Sequence, residues 1–227
     1  MKRFVLHIAL ILTTATMLAQ GNGPTIGANL QMTIPQNNFA ENYRGLPIGI
    51  GAHIAIPSGN RSPIEIGMDL AWSTMGSDRD QVTFEDGLQN LLAGDLSVKS
   101  NVNSYHAFAR FSPFNGPARI YVDGYAGFRN FTTKSVFEYQ DVEGFTLQQI
   151  DVASKNLSFS YGWGGGIMLS LNRNLMFDAG FQKLKGGNAT YLDRNSIVIN
   201  PDGSTSFDII TSKTDVVIPK VGLTLAF

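Results

Sequence analysis

Two histidines, His53 and His106, and a scattered set of carboxylates and cations are the residues able to do chemistry here; a third histidine, His7, lies in an apolar stretch near the start. A hydrolytic centre needs a nucleophile or activated water, a base, and a surface that substrate can reach. Both histidines sit on the small, polar parity of an alternating segment, away from its ends. Each is expected to be an interior histidine hydrogen-bonded to a carboxylate. The chain has no cysteine, so it holds neither a disulfide nor a thiolate zinc site, and two histidines make a poor transition-metal set. No catalytic residue, cofactor or metal site is predicted, and the chain does not read as an enzyme. Glu65, Asp69, Arg110, Asp123, Arg129, Asp178 and Lys220 share the inward parity with His106. Unpaired charges in a narrow interior are costly, so these eight residues are expected to gather as one ionic layer. Such a layer either fixes register and fills the interior or lines a narrow polar path.

Alternation is what positions them. Ile48, Ile50, Ala52, Ile54 and Ile56 stand against Gly49, Gly51, His53 and Ala55. Ile64, Ile66, Met68, Leu70 and Trp72 stand against Glu65, Gly67, Asp69 and Ala71, and the pattern recurs from Leu157 to Leu169. A period of two over eight or more residues is the strand signature. It predicts eight strands near 24–34, 46–56, 64–75, 101–112, 119–133, 155–171, 175–190 and 208–227, with no comparable helical periodicity after residue 20. The connections 57–63, 113–118 and 172–174 are short and rich in turn formers, whereas 35–45, 76–100, 134–154 and 191–207 are long and polar. The last two are expected to extend as hairpins turning at 141–144 and 200–203. In the loop 76–100, Leu88, Leu91 and Leu92 suggest a short helix over the rim. Asp78, Asp80, Glu85 and Asp86 read as solvated loop carboxylates, because their spacing misses the calcium-loop pattern.

Alternation alone does not say which face meets water. A soluble barrel packs its apolar parity inside and shows water a face rich in Lys and Glu. Here the polar parity is mostly Gly, Ser and Ala, suited to a crowded interior, while the bulky parity carries almost no charge through the strand centres. Trp72, Phe111, Phe128, Tyr161 and Phe181 fall near strand ends on that bulky parity, as interfacial aromatic girdles do. Gly162, Gly164 and Gly166 would make room inside for long side chains or water. The expected fold is all-β: a transmembrane antiparallel up-and-down β-barrel, with short turns on one rim and long loops on the other.

The first residues read as an address. Met1-Lys2-Arg3 is a basic head, Phe4 to Leu12 is largely apolar, and a small residue precedes a polar one at Ala19-Gln20, the pattern of a secretory signal peptide spanning 1–19. The remainder, 20–227, reads as a single barrel domain with 15 basic and 18 acidic residues, a net charge of −3. That balance excludes a nucleic-acid partner held by a strong basic field.

The last strand carries the sharpest motif: Val221, Leu223, Leu225 and Phe227 alternate with Lys220, Gly222, Thr224 and Ala226. A terminal aromatic preceded by apolar residues at every second position resembles the assembly signal of Gram-negative outer-membrane barrels. With the leader, the alternation and the two loop sizes, the chain resembles the small porin-like, eight-stranded outer-membrane β-barrel family. That resemblance implies residence in the cell outer membrane, contact with outer-membrane lipid and lipopolysaccharide, and handling by the barrel-assembly machinery. It implies a structural or surface-interaction role with a filled or nearly closed lumen. The alternatives are a low-conductance pore or conduit for small solutes or hydrophobic ligands and, further off, an outer-membrane hydrolase. The long loops are where a ligand would bind, and the sequence does not name it. Replacing Phe227 with Ala is expected to impair assembly more than stability; unchanged outer-membrane levels of that variant would count against the signal.

Overall fold

The computed structural model describes residues 23–43, 45–59, 62–85, 91–114, 116–140, 146–192, 198–199, 205–206 and 209–227, with side chains described outside 76–98, 135–154 and 191–209. In chain order the elements are β1 (Thr25–Met32), β2 (Ile34–Pro35), α1 (Asn37–Asn42), β3 (Ile48–Pro57), β4 (Ile64–Glu85), β5 (Leu91–Phe111), β6 (Ala118–Gln140), β7 (Thr146–Ser170), β8 (Leu175–Gly186), β9 (Asn188–Leu192), β10 (Val198–Ile199), β11 (Thr205–Ser206), β12 (Ile209–Lys213) and β13 (Val216–Ala226). Strands β1, β3 to β8 and β13 form one antiparallel sheet in chain order. That sheet closes where β1 pairs with β13, from Thr25↔Ala226 to Gln31↔Lys220. The short β2 adds two residues beside the start of β13. The result is an eight-stranded up-and-down barrel with one extra strand.

Parity then sorts the side chains. Among the described residues thirty large apolar side chains are exposed, nearly all on the outer wall, and Ile50, Trp72, Tyr161 and Trp163 each show about half of their surface. A water-facing wall of that chemistry would form one continuous apolar patch far beyond the few hundred Å² that soluble monomers tolerate. The opposite parity is buried. Near the short turns Tyr121, Met168 and Met176 pack together. Charged and hydroxyl side chains fill the middle, and Val102, Phe131, Leu184, Val216 and Ile218 pack near the long-loop end. Tyr121 fits because Gly166 and Gly180 face it: a Cβ on either would lie 2.5 or 2.6 Å from its hydroxyl oxygen.

The connection after β1 was expected to be plain loop, yet it contains α1. This single helical turn and a half is too short for its periodicity to show in the sequence. Phe39 from α1 and Tyr43 just after it are buried in the upper apolar cluster, their rings stacked with centroids 5.7 Å apart. Phe39 also meets Phe131 edge-on at 6.3 Å. A β-bulge in β4, where the ladder jumps from Thr74↔Asn101 to Gly76↔Ser100, leaves Met75 as the extra residue. The Tyr43 hydroxyl donates to the Met75 carbonyl, so the bulge secures α1 across the mouth.

The segment 76–100 also differs from expectation. Its flanks continue as strand, and Leu91 and Leu92 lie in β5 opposite Glu85 and Phe84 rather than in a helix; Leu88 is outside the described residues. The third long connection does extend as a hairpin, with β6 and β7 paired out to Gln140↔Thr146. The expected turns at 141–144 and 200–203 fall outside the described residues, as does the leader. Beyond the barrel, β4, β5, β6 and β7 therefore form a four-stranded extension. Among the described residues, β3 stops pairing with β4 at Ile48↔Thr74 and β8 stops pairing with β7 at Ser160↔Gly186, so the extension has two outer edges without a ladder partner. The strands expected at 175–190 and 208–227 are each interrupted, at Gly187 and at Thr214-Asp215. There the Asp215 carboxylate accepts from the Gly186 amide at 3.1 Å and from Asn37 Nδ2 at 2.9 Å. Beyond the break β9 pairs with β12 instead.

Filling the space above Tyr121 tests this packing: Gly180→Val should destabilise the folded barrel by about 1–3 kcal/mol through overpacking. The check is the urea midpoint of the barrel in lipid vesicles, with Gly116→Val as the control, since nothing lies within 4 Å of a Cβ there.

Candidate functional site

The interior charges are placed by register. Glu65 on β4 lies opposite Arg110 on β5, and Arg110 lies opposite Asp123 on β6. A guanidinium thus stands between two carboxylates on neighbouring strands. Arg110 donates through Nε to Asp123 Oδ1 at 2.8 Å and through Nη2 to Oδ2 at 2.9 Å, a bidentate fork. Its Nη1 is 4.0 Å from Glu65 Oε2. The guanidinium lies over the Tyr121 ring at 4.0 Å and the Phe108 ring at 5.2 Å, which replaces lost hydration on its faces.

The network runs on in both directions. Toward the short-turn rim Arg119 donates to Glu65 Oε1 at 2.6 Å. Deeper in, Tyr125 donates to Asp123 Oδ2 at 2.7 Å and accepts from Lys220 Nζ at 3.2 Å. Lys220 in turn lies 3.6 Å from Asp69 Oδ2, which also accepts from Gln182 at 3.3 Å. Arg119, Glu65, Arg110, Asp123, Lys220 and Asp69 form an alternating string of three cations and three anions. Opposite charges in contact offset the desolvation that each would suffer alone.

Five of the eight expected residues meet in this string: Glu65, Asp69, Arg110, Asp123 and Lys220. Three do not join its ion pairs. Arg129 lies six residues further along β6 than Asp123, roughly 20 Å up the strand. There it donates to the Thr214 carbonyl at 2.9 Å and stacks over Phe131 at 5.2 Å. Asp178 accepts from Tyr121 at 2.7 Å, and no cation pairs with it among the described residues. His106 is opposite Asp69 in the ladder but bonds Ser160 Oγ instead, with Nε2 at 2.7 Å. The expectation that the histidines would bond carboxylates is corrected: His106 takes a serine and His53 has only a long 3.5 Å contact to Thr224. The His106–Ser160 contact has the atoms of a hydrolytic pair, but Ser160 is wholly buried and no carboxylate bonds His106 Nδ1 among the described residues. Nor do the described residues include three or more His, Cys, Asp or Glu placed to hold a metal ion.

Arg119, Tyr121 and Tyr125 were missed by the sequence reading, although they share the inward parity of Asp123 on β6. The signal was that parity, applied to phenols and to the first turn of the strand as well as to the charges at its centre. On the outer wall, the girdle residues Trp72, Phe111, Phe128, Tyr161 and Phe181 are all exposed. Val221, Leu223 and Leu225 face outward as well, and the Phe227 amide donates to the Pro24 carbonyl at 3.2 Å.

An apolar wall around a charged, paired interior has one solvent that suits it. This is a β-barrel of the outer-membrane type. No family model matches the chain, and no curated protein matches it. Solved structures do. The chain is similar to Neisserial surface protein A (NspA), with 13% identity, TM-score 0.44, and 90% of this chain and 97% of that one covered. It is similar to Ail, the attachment invasion locus protein of Yersinia pestis, solved with the heparin analogue sucrose octasulfate, with 15% identity, TM-score 0.38, and 90% and 96% covered. It is also similar to a major outer membrane protein from Thermus thermophilus, with 11% identity, TM-score 0.43, and 89% and 99% covered.

Removing Arg110 tests the string. Arg110→Met leaves Asp123 and Glu65 without their shared cation and should cost about 3–5 kcal/mol. Adding Asp123→Asn to that variant should return part of the loss. Urea unfolding of vesicle-inserted protein reads both.

Proposed function

We propose that this protein is an integral outer-membrane barrel that works at its outer surface, as a structural or surface-interaction protein, and does not carry solutes. The observation that supports the reading is the succession of buried side-chain layers along the interior. An apolar cluster of Tyr121, Met168 and Met176 stands at one level, the alternating charges in the middle, and a second apolar cluster capped by Phe39 and Tyr43 at the other end. An eight-stranded barrel is just wide enough for side chains to fill. On this reading the four-stranded extension, whose outer edges have no ladder partner among the described residues, is the part of the molecule best able to engage something else. Sheet edges offer rows of free backbone donors and acceptors for such contacts. Assembly through the Phe227 motif belongs to the same reading.

One observation favours a second reading, a low-conductance polar path. Asn29 Oδ1, His53 Nδ1, Glu65 Oε2, Arg110 Nη1 and Ser158 Oγ are buried without a protein hydrogen-bond partner, as groups along a hydrated file would be.

Single-channel recording of the folded protein in a planar bilayer separates the two. The surface reading expects silence from the wild-type barrel. Deleting α1 should leave it silent too, because the charged string and the lower apolar cluster stay in place. Discrete steps from the wild-type protein, altered by Arg110→Gln or Asp123→Asn, would overturn it in favour of a pore.

A further inference from the structure

Above the aromatic girdle the outer wall changes character on one side only. Lys99 on β5 lies opposite Lys134 on β6, and Lys155 on β7 lies opposite Thr132, two residues from Lys134. All three are exposed. They continue the outward parity of Tyr105, Phe128 and Phe159, lying four to six residues beyond those rings, roughly 14–20 Å along the strands. Lower on the same wall, exposed Lys183 and Lys185 lie opposite Trp163 and Tyr161. Five lysines thus stand on the outer face of β5 to β8. The outward positions of β1, β3 and β13, and those of β4 over 64–74, carry no charge.

Like charges directly opposite in a sheet repel, and Lys99 opposite Lys134 is such a pair. Over 99–111 on β5, 118–134 on β6, 155–170 on β7 and all of β8 no carboxylate faces outward, and none of the five lysines has an ion-pair partner there; Asp95 and Glu138 share the parity of Lys99 and Lys134 four residues further along. The chain as a whole has an acidic excess, so this is no general basic surface. A cationic cluster resting directly on an apolar, aromatic-edged wall matches an amphiphile with anionic groups above and acyl chains below. The aromatic face beneath it would lie idle against a dissolved anion, which is why a lipid is the occupant.

We infer that the outer wall of β5 to β8 is a binding surface for a multiply phosphorylated lipid headgroup of the outer leaflet, with Lys99, Lys134 and Lys155 holding its phosphates and Lys183 and Lys185 closing the lower edge. The inference rests on the membrane-barrel reading and deepens it.

The test uses the full folded chain in phosphatidylcholine nanodiscs doped with bisphosphorylated lipid A. The readouts are lipid A retained per barrel, by native mass spectrometry, and its apparent affinity. The variant K99Q/K134Q/K155Q should bind lipid A at least tenfold more weakly, and K183Q/K185Q should show a smaller loss. The triple Lys→Arg variant should bind like wild type, as should Arg173→Gln at the short-turn rim. Monophosphorylated lipid A should bind more weakly than the bisphosphorylated form. Equal retention by wild type and the triple Gln variant overturns the inference. So does equally tight, equally lysine-dependent binding of soluble inositol hexakisphosphate, which would make the site one for a dissolved polyanion. Failure to insert into any bilayer is a different result: it would sink the membrane-barrel reading itself, and shows as loss of heat-modifiable migration in wild type before any lipid A is added.

Discussion

Hydrocarbon offers no partner to a backbone amide or carbonyl, so a sheet placed in it must return to its own first strand. The pairing of Thr25–Gln31 with Lys220–Ala226 meets that demand, and most of the architecture follows from it. Once the ring is closed each strand has only two faces, one toward lipid and one toward the axis. Charges through the strand centres must take the second. The interior is too narrow to hydrate them freely, so neighbouring strands have to supply their counter-charges. Glu65, Arg110 and Asp123 on three successive strands answer that demand through register alone.

The charged string sits between two apolar layers, and the arrangement is mutually reinforcing. Burial strengthens the fork between Arg110 and Asp123, while the fork removes the penalty that either charge would impose on the packing of Tyr121 and Phe108. The rings over the guanidinium belong to both layers. Tyr125 joins the two halves of the string, bonding the carboxylate that Arg110 holds and the ammonium that Asp69 holds.

Much of this was legible because a two-residue period is a strong code. Strand order, the inner and outer faces, the girdle residues and the inward location of the seven named charged residues and both histidines follow from it. Four things escaped. The α1 turn is too short to set up a helical repeat. The extension of β4 is polar on both parities from Gly76 to Gln81, where strand and loop look alike, and the alternation of Leu92, Leu96 and Val98 in β5 is too short and broken to stand out from a loop. Partner choice also depends on height and stagger, which parity does not encode; Arg129 shares a face with Asp123 yet stands too far up β6 to reach it. Finally, His106 faced a carboxylate in register and still took Ser160, because Asp69 was already engaged by Lys220 and Gln182.

The bulge at Met75 has a bearing on how such a chain can change in length. Inside and outside are assigned in twos, so adding or deleting one residue in a spanning strand would swap the lipid-facing and axis-facing sets for everything beyond it. An irregularity between Thr74 and Gly76 on β4, matched by another on β7, where Thr133↔Ser154 gives way to Lys134↔Val152 and Ala153 is the extra residue, resets the phase where the wall gives way to the extension. Below those points the residue count is rigid. Above them no bilayer enforces the alternation, and insertions or losses of odd length leave the spanning segment in frame. The two irregularities divide the molecule into a part that evolution must copy by the pair and a part it is free to rewrite one residue at a time.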